Sequence, residues 1–503
     1  MKFLTLIACL FSLYACSIAQ PLSDNIDIST SPNGVVALPS TVPVAYTNAG
    51  IVKYTKIMAP NGQAIHFLAQ NAITDAQIVR ARNILQFYLT NVPNSQYGND
   101  KTAVMNAMGT NEAMLLLLNG SDNGNPPAIN GQPLYQNEMA VEGHTWYQTN
   151  DYDNHRDASF EEILHLMHDY GIGVDQNGTP SPFGALPAYQ AEIRAAQDNA
   201  DNSFAKWPLG AATDPGIMSW YNELSNENSL SQEYLAAVID SYYGLWGAWT
   251  ENAYGMYGMY IAKTRAGIQM HDSLAWALLP KYFSPYININ MDIDSSFTGT
   301  FSMAFDAAQP YTHKAQYLQH CTLTGSNAAN LKGNDLYNRL NGNGANNELE
   351  GGKGNDRLNG HGGTDVAKFT GNAADYTISY QGGLTIVADH IANRDAVDTL
   401  WGVENMQFAD QLIATNIRYI PAENAFKVYP NPVTTVATVE WEAALFQEGT
   451  IEIINSLGQV VWTEKMAGGI NKMQVEVENL AAGWYSIQLI DKNNVSTIPI
   501  LFK

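Results

Sequence analysis

The chain has 503 residues, 46% of them hydrophobic, with a formal net charge of −23 at pH 7. That length admits roughly three domains, and the apolar content excludes global disorder. The acidity excludes nucleic-acid or anionic-membrane binding through a broad basic face.

Residues 1–19 have the layout of an export signal. Lys2 gives a positive start, residues 3–14 form an apolar run too short to span a bilayer, and Ser17-Ile18-Ala19 supplies small residues for cleavage before Gln20. Leu13-Tyr14-Ala15-Cys16 offers a rival reading as a lipoprotein box. Cys9 and Cys16 fall in this segment, so only Cys321 remains, and neither an internal disulfide nor a cysteine-based zinc site follows. No later segment is long and apolar enough for a transmembrane helix, so no stable membrane span is expected.

Residues 20–320 are rich in Trp, Tyr, Met and Ala with helical periodicity. Helices are predicted over 74–89, with Thr74 as cap and Gln77 three residues on, over 103–118, and over 231–249. The chemistry concentrates in 157–171. Ser159 is expected to cap a helix, with Glu162 completing a capping box. On that helix Glu161, His165 and His168 fall at i, i+4 and i+7 and share a face, with Asp169 beside them. Glu161-Glu162-Ile163-Leu164-His165 repeats the layout of the zinc peptidase motif H-E-x-x-H with glutamate in the first position. A carboxylate can ligate zinc, so the geometry survives the exchange. The alternative is a polar face satisfied by its neighbours. A di-iron bundle needs paired E-x-x-H motifs, and Glu162 to His165 is unpaired in the sequence. His144 and the His271-Asp272 pair read as structural.

Residues 231–244 resemble the segment that follows the active-site helix in lethal-factor-like zincins. The resemblance implies Glu233 as third zinc ligand and Glu162 as general base. It also implies a carbonyl-polarising tyrosine, either Tyr242 or Tyr243, and places Asp240 two turns past Glu233. A set of His165, His168 and Glu233 is the other ligand combination.

Beyond residue 320 a nine-residue period appears. Gly333, Gly342, Gly351 and Gly360 keep it, as do Leu331, Leu340, Leu349 and Leu358. Gly351-Gly352-Lys353-Gly354-Asn355-Asp356 and Gly360-His361-Gly362-Gly363-Thr364-Asp365 are the fullest copies; Asn338 and Asn347 hold the aspartate position in the weaker ones. Glycines permit the tight turns, carboxylates and carbonyls suit a hard cation, and each leucine points inward. Residues 321–415 resemble the haemolysin-type, or RTX, calcium-binding module, including strands near 375–378 and 398–410 that close such modules. The resemblance implies a parallel β-roll with calcium at Gly351, Gly352, Gly354, Asp356, Gly360, Gly362 and Asp365, and weaker contributions from Asn338 and Asn347. It also implies a segment largely unfolded without calcium.

After a linker at 416–424, residues 425–503 alternate short apolar runs with turns, the pattern of a small all-β sandwich. Val428-Tyr429-Pro430-Asn431-Pro432, Asn455-Ser456-Leu457-Gly458-Gln459-Val460-Val461 and Leu480-Ala481-Ala482-Gly483-Trp484-Tyr485 are similar to the type A C-terminal sorting domain of the type IX secretion system.

The expected protein is therefore multidomain: a mainly helical α+β zincin-like domain, a parallel β-roll and a C-terminal all-β sandwich. It is expected to be secreted or held at the cell surface through the type IX machinery. Its expected cofactors are Ca2+ and Zn2+, and its expected substrate, if it is a hydrolase, is a protein or peptide. The alternative is a non-catalytic extracellular calcium-binding adhesive or structural protein on a degenerate metallopeptidase fold.

Overall fold

A computed structural model describes residues 21–175, 184–381, 384–415, 418–419, 425–443, 446, 449–455, 460–466, 468–491 and 494–502. The expected export signal, most of the linker, and residues 456–459 of the sorting motif lie outside these. The described residues form two compact units. One holds 145–285 with the chain before 142 and 307–314; the other holds 142–144, 286–306 and 315–503.

The first unit is built on a five-stranded sheet of β1 (Val36–Ala37), β2 (Ile51–Met58), β3 (Ala64–Gln70), β4 (Met114–Leu118) and β5 (Gln132–Tyr135), in that spatial order. β1, β2 and β3 run antiparallel, and β3, β4 and β5 are mutually parallel. The helix predicted over 103–118 is split: Thr102–Thr110 is helical, but the next turn breaks and β4 follows. Leu115 to Leu118 form an uninterrupted apolar run buried on both faces, the signature of a central strand rather than of a one-sided helix.

The helix Asp75–Leu89 forms as predicted, closed by a reciprocal capping box in which Thr74 and Gln77 bond each other's backbone. Helix Leu230–Tyr242 ends earlier than the predicted 231–249, because Gly244 at φ +74° turns the chain left-handed. Helix Ser159–Met167 is buried along its whole length and packs on Asp75–Leu89, Leu230–Tyr242 and β5.

In the second unit the chain winds as a coil of parallel strands, alternating between two sheets. One sheet stacks Ile287–Ile293, Leu318–Leu323, Arg339–Asn341, Arg357–Asn359 and Val397–Trp401. The other stacks Gly299–Ser302, Ala329–Lys332, Glu348–Glu350, Val366–Lys368 and Asn405–Gln407. Each nine-residue repeat is thus half a turn. Leu340 stands over Leu358 and Leu331 over Leu349, and all four leucines are buried. The boundary expected at 320/321 falls inside this coil, whose first rung begins at Ile287. An antiparallel hairpin, Tyr376–Gln381 with Leu384–Asp389, leads out before the last rung. Replacing Leu358 with Ala is expected to cost the coil about 2–5 kcal/mol through the cavity left between rungs. Lys353→Ala, which breaks only the exposed pair with Asp335, should stay within about 0.5 kcal/mol, both read from the coil's unfolding transition.

The C-terminal region is all-β. Strands Phe426–Tyr429, Val436–Trp441 and Lys472–Glu476 form one antiparallel sheet. Gly449–Asn455, Val460–Met466, Gly483–Asp491 and Asn494–Phe502 form the other. Phe426, Trp441, Phe446, Ile453, Val475, Leu489 and Phe502 lie in the core they share. Arg418 and Tyr419, expected in the linker, instead pair beside Asn494 and Val495.

Candidate metal centre

Ala158, not Ser159, caps the buried helix without a side-chain bond of its own, and the first helical N–H, that of Ser159, donates to Asp157 Oδ1 at 3.3 Å. The expected capping box fails because both of its members are engaged elsewhere. Ser159 Oγ accepts from Arg80 Nη1 at 3.0 Å, and Arg80 also grips Asp157 through both its terminal nitrogens. Glu162 turns inward, where its Oε2 accepts from Gln132 Nε2 of β5 at 2.7 Å.

Glu161, His165 and Glu233 offer ligand atoms that all lie within 4.8 Å of one another, and all three residues are buried. His165 Nε2 is 3.6 Å from Glu233 Oε1 and has no hydrogen-bond partner. His165 Nδ1 faces Glu162 Oε2 at 3.4 Å. Glu161 Oε2 meets Arg156 Nη1 at 2.7 Å, and the Tyr257 ring lies against the same guanidinium.

His168 is not part of this cluster. It opens a π-helical turn, His168–Ile172, and its Nε2 meets Gln190 Oε1 at 2.5 Å. Burial pushes its pKa down to about 4, consistent with a neutral ring bonded to an amide. Of the two expected tyrosines, Tyr243 donates to Ser284 O at 2.6 Å and the Tyr242 ring packs under Arg265. Asp272 is held by the Tyr234 and Tyr260 hydroxyls and Lys206, a structural network as expected.

The electrostatics favour a cation. Glu138, Asp157, Glu161, Glu162, Glu233 and Asp240 are all buried, and the cations that act on them include Arg80, Arg156, Lys314 and His165. Burial raises Glu233 to about 7 and, with Glu162 adding repulsion, Glu138 to about 8. Burial drives Asp240 well above the usual carboxylate range, with Glu161 adding to the shift. Burial opposes charge on His165, but Glu233, Glu162 and Glu161 outweigh it and bring its pKa up to about 10. The orphaned His165 Nε2, the converging carboxylates and the acidic surplus fit a divalent metal with nitrogen and oxygen ligands.

A second set of buried acids lies at the corners of the coil. Asn338 Oδ1 accepts from Asn334 N at 2.8 Å, and its Nδ2 donates to Asn334 Oδ1 and Gln319 O. Asn347 does the same with Asn343 and Ala329. Both amide hydrogens of each are bonded and each Oδ1 accepts one backbone N–H, in keeping with the weaker contribution expected of neutral ligands. Asp356 and Asp365 differ. Each Oδ1 accepts the backbone N–H of the Asn one turn away, Asn338 and Asn347 respectively, both at 2.7 Å. Each Oδ2 is buried without a partner. Below them Asp398 Oδ1 accepts from Asp356 N at 2.9 Å and Glu404 Oε2 from Asp365 N at 2.8 Å.

A Cβ on Gly351 would stand 2.3 Å from Asp356 Oδ2, and one on Gly360 2.1 Å from Gly402 O and 2.4 Å from Asp365 Oδ2. The glycines therefore let the backbone close around the carboxylates. Gly352 and Gly354 turn left-handed, and Gly362 N donates to Asn343 O. The orphaned oxygens and the backbone cradle fit calcium at Asp356 and Asp365. Asp398 and Glu404 were missed in the sequence because the hairpin breaks the nine-residue period before them. Arg156 and Gln132 had no motif to mark them; only the folded register brings them to Glu161 and Glu162.

Residues 427–503 match the family described as the secretion system C-terminal sorting domain. The chain thus carries a type IX sorting tail, which marks it for secretion or the cell surface by that machinery. No curated protein matches the chain. Among solved structures, it is similar to PorZ, an essential surface component of the type IX secretion system of Porphyromonas gingivalis. That match is 13% identical with a TM-score of 0.14, covering 25% of this chain and 16% of that one. It is also similar to the CBM51-2 and INT domains of Clostridium perfringens ZmpB, at 10% identity and a TM-score of 0.09, covering 62% of this chain and 50% of that one. Among the described residues no helix is long and apolar enough to cross a membrane.

Proposed function

We propose that this is an exported metallopeptidase-like protein, with a transition metal held by Glu161, His165 and Glu233 and a calcium-binding β-roll beside its sorting domain. The observation that carries the reading is the convergence of those three buried side chains on one point, with His165 Nε2 unpartnered. Zinc is the first candidate, and bound there it would supply Lewis-acid activation of a peptide carbonyl and of water.

The protein's own groups divide the remaining work differently from the sequence expectation. Glu162 faces Nδ1, the ring nitrogen turned away from Glu233, so it orients His165 and fixes Nε2 as the free nitrogen. Gln132 in turn fixes Glu162. Arg156 holds Glu161 and limits how much negative charge the centre carries. Glu138, buried beside Glu162 and raised to about 8, is placed to hold a proton near neutral pH.

The engagement of Glu162 also favours a second reading, in which the domain binds metal without catalysing hydrolysis. Metal analysis of the full-length chain and hydrolysis of a denatured protein substrate separate the two. One zinc per chain, with hydrolysis lost on chelation and restored by zinc, is the expected result. Stoichiometric zinc without hydrolysis selects the second reading, and absence of any stoichiometric transition metal overturns both.

A further inference from the structure

We propose that His168 and Asp169 work through Gln190, Ser231 and Gln232 as a two-armed clamp that sets Glu233 against His165. The proposal rests on the metal-centre reading and gives the centre its positioning residues.

The argument starts from the π-helical turn His168–Ile172, which interrupts the regular helix just past His165. Such turns are rare and gather at functional sites. Here the turn presents two successive side chains to two other helices. His168 Nε2 donates to Gln190 Oε1, and Gln190 Nε2 donates to Ser231 Oγ at 2.9 Å. Asp169 Oδ2 accepts from Gln232 Nε2 at 3.0 Å, and the same amide reaches His165 O at 3.4 Å. Both arms end on consecutive residues, Ser231 and Gln232, and the next residue is Glu233.

His168 and Gln190 are completely buried, and Ser231 and Gln232 nearly so. Buried imidazole and amide groups are costly unless bonded, and apolar residues would pack these helices without that constraint. What the polar chain adds is register: it fixes the first turn of Leu230–Tyr242 relative to the helix that carries Glu161 and His165. Metal–ligand distances tolerate deviations of only about 0.2 Å, so a slip in that register would be felt at the metal.

The test uses the full-length chain with zinc affinity measured by chelator competition and the visible spectrum of the cobalt-substituted protein. Ser231→Ala cuts one arm and Gln232→Ala the other. Each is expected to weaken zinc about 10–100-fold, the usual effect of losing an outer-shell partner. Each should also shift the cobalt bands while far-ultraviolet circular dichroism is retained. Ser231→Thr keeps the hydroxyl and should restore affinity. If Ser231→Ala lowers the folded fraction, Gln232→Ala, whose partner Asp169 is only partly buried, gives the same reading. Unchanged affinity and spectra in both variants, with only a lower melting temperature, would overturn the clamp while leaving the metal centre standing. A wild-type chain that binds neither zinc nor cobalt would overturn both.

Discussion

Glu233→Gln is expected to weaken zinc binding by more than about 100-fold, beyond the range for outer-shell changes, because it removes a ligand itself. It should not weaken the metal-free fold. Glu233 is raised to about 7 by burial, which outweighs the attraction of His165, while Glu161 and Glu162 add repulsion. Deleting that charge removes both the repulsion and the attraction, and His165 can shed its proton, so the melting temperature without metal should change little. Glu161→Gln is expected to behave oppositely in stability. It would also weaken zinc, but it strips Arg156 of its 2.7 Å partner and leaves a largely buried guanidinium with only the weaker pull of Glu138 and Asp240. Breaking a buried pair from one side typically costs about 3–5 kcal/mol. The pair of variants therefore separates ligation from packing: two losses of zinc, one with intact stability and one without. Equal stability losses in both, measured by denaturant unfolding with a chelator present, would count against a metal role for Glu233.

How much of this was legible in the sequence varied with the range of the interaction. The helix carrying Glu161 and His165 was readable because an i, i+4 spacing is local, and Glu233 because its resemblance segment is contiguous. The contacts of Glu162 were not readable, since adjacency in sequence does not say which edge of an imidazole a carboxylate faces. That depends on Gln132, which arrives from an edge strand about thirty residues away. His168 shared the helix face by counting, but the π-helical turn redirected it to Gln190. The misread β4 strand shows the limit of periodicity for short apolar runs, where a leucine tetrad fits a buried strand or a buried helix equally well. The repeats were legible because each rung restates the same turn chemistry. The closing strands near 398–410 were legible as well, but not the contacts of Asp398 and Glu404, which rejoin the stack only after the hairpin.

Calcium is expected to order the coil unevenly and to reverse its response to pH. The turns at Asn334–Asn338 and Asn343–Asn347 are closed by their own amides, so their backbone should resist hydrogen exchange without calcium. The turns at Asp356 and Asp365, with the closing strands at 397–407, should gain protection only when calcium is added. Burial raises Asp356 to about 7, Asp365 to about 8 and Asp398, beside Asp356, to about 9. An acid whose folded pKa exceeds its unfolded value near 3.8 keeps its proton longer in the folded state. Its contribution is complete below about pH 4 and is lost as pH climbs through the folded value. The calcium-free coil should therefore be more stable at pH 5 than at pH 8. Calcium prefers the ionised carboxylates, so in millimolar calcium the order should invert. Asn338→Asp and Asn347→Asp should push the first turns into the same regime, with lower calcium-free melting and a larger gain on calcium addition. Hydrogen exchange that is uniform along 321–415 and indifferent to calcium would refute the scheme, because the upper turns carry amides at 338 and 347 where the lower turns carry carboxylates at 356 and 365.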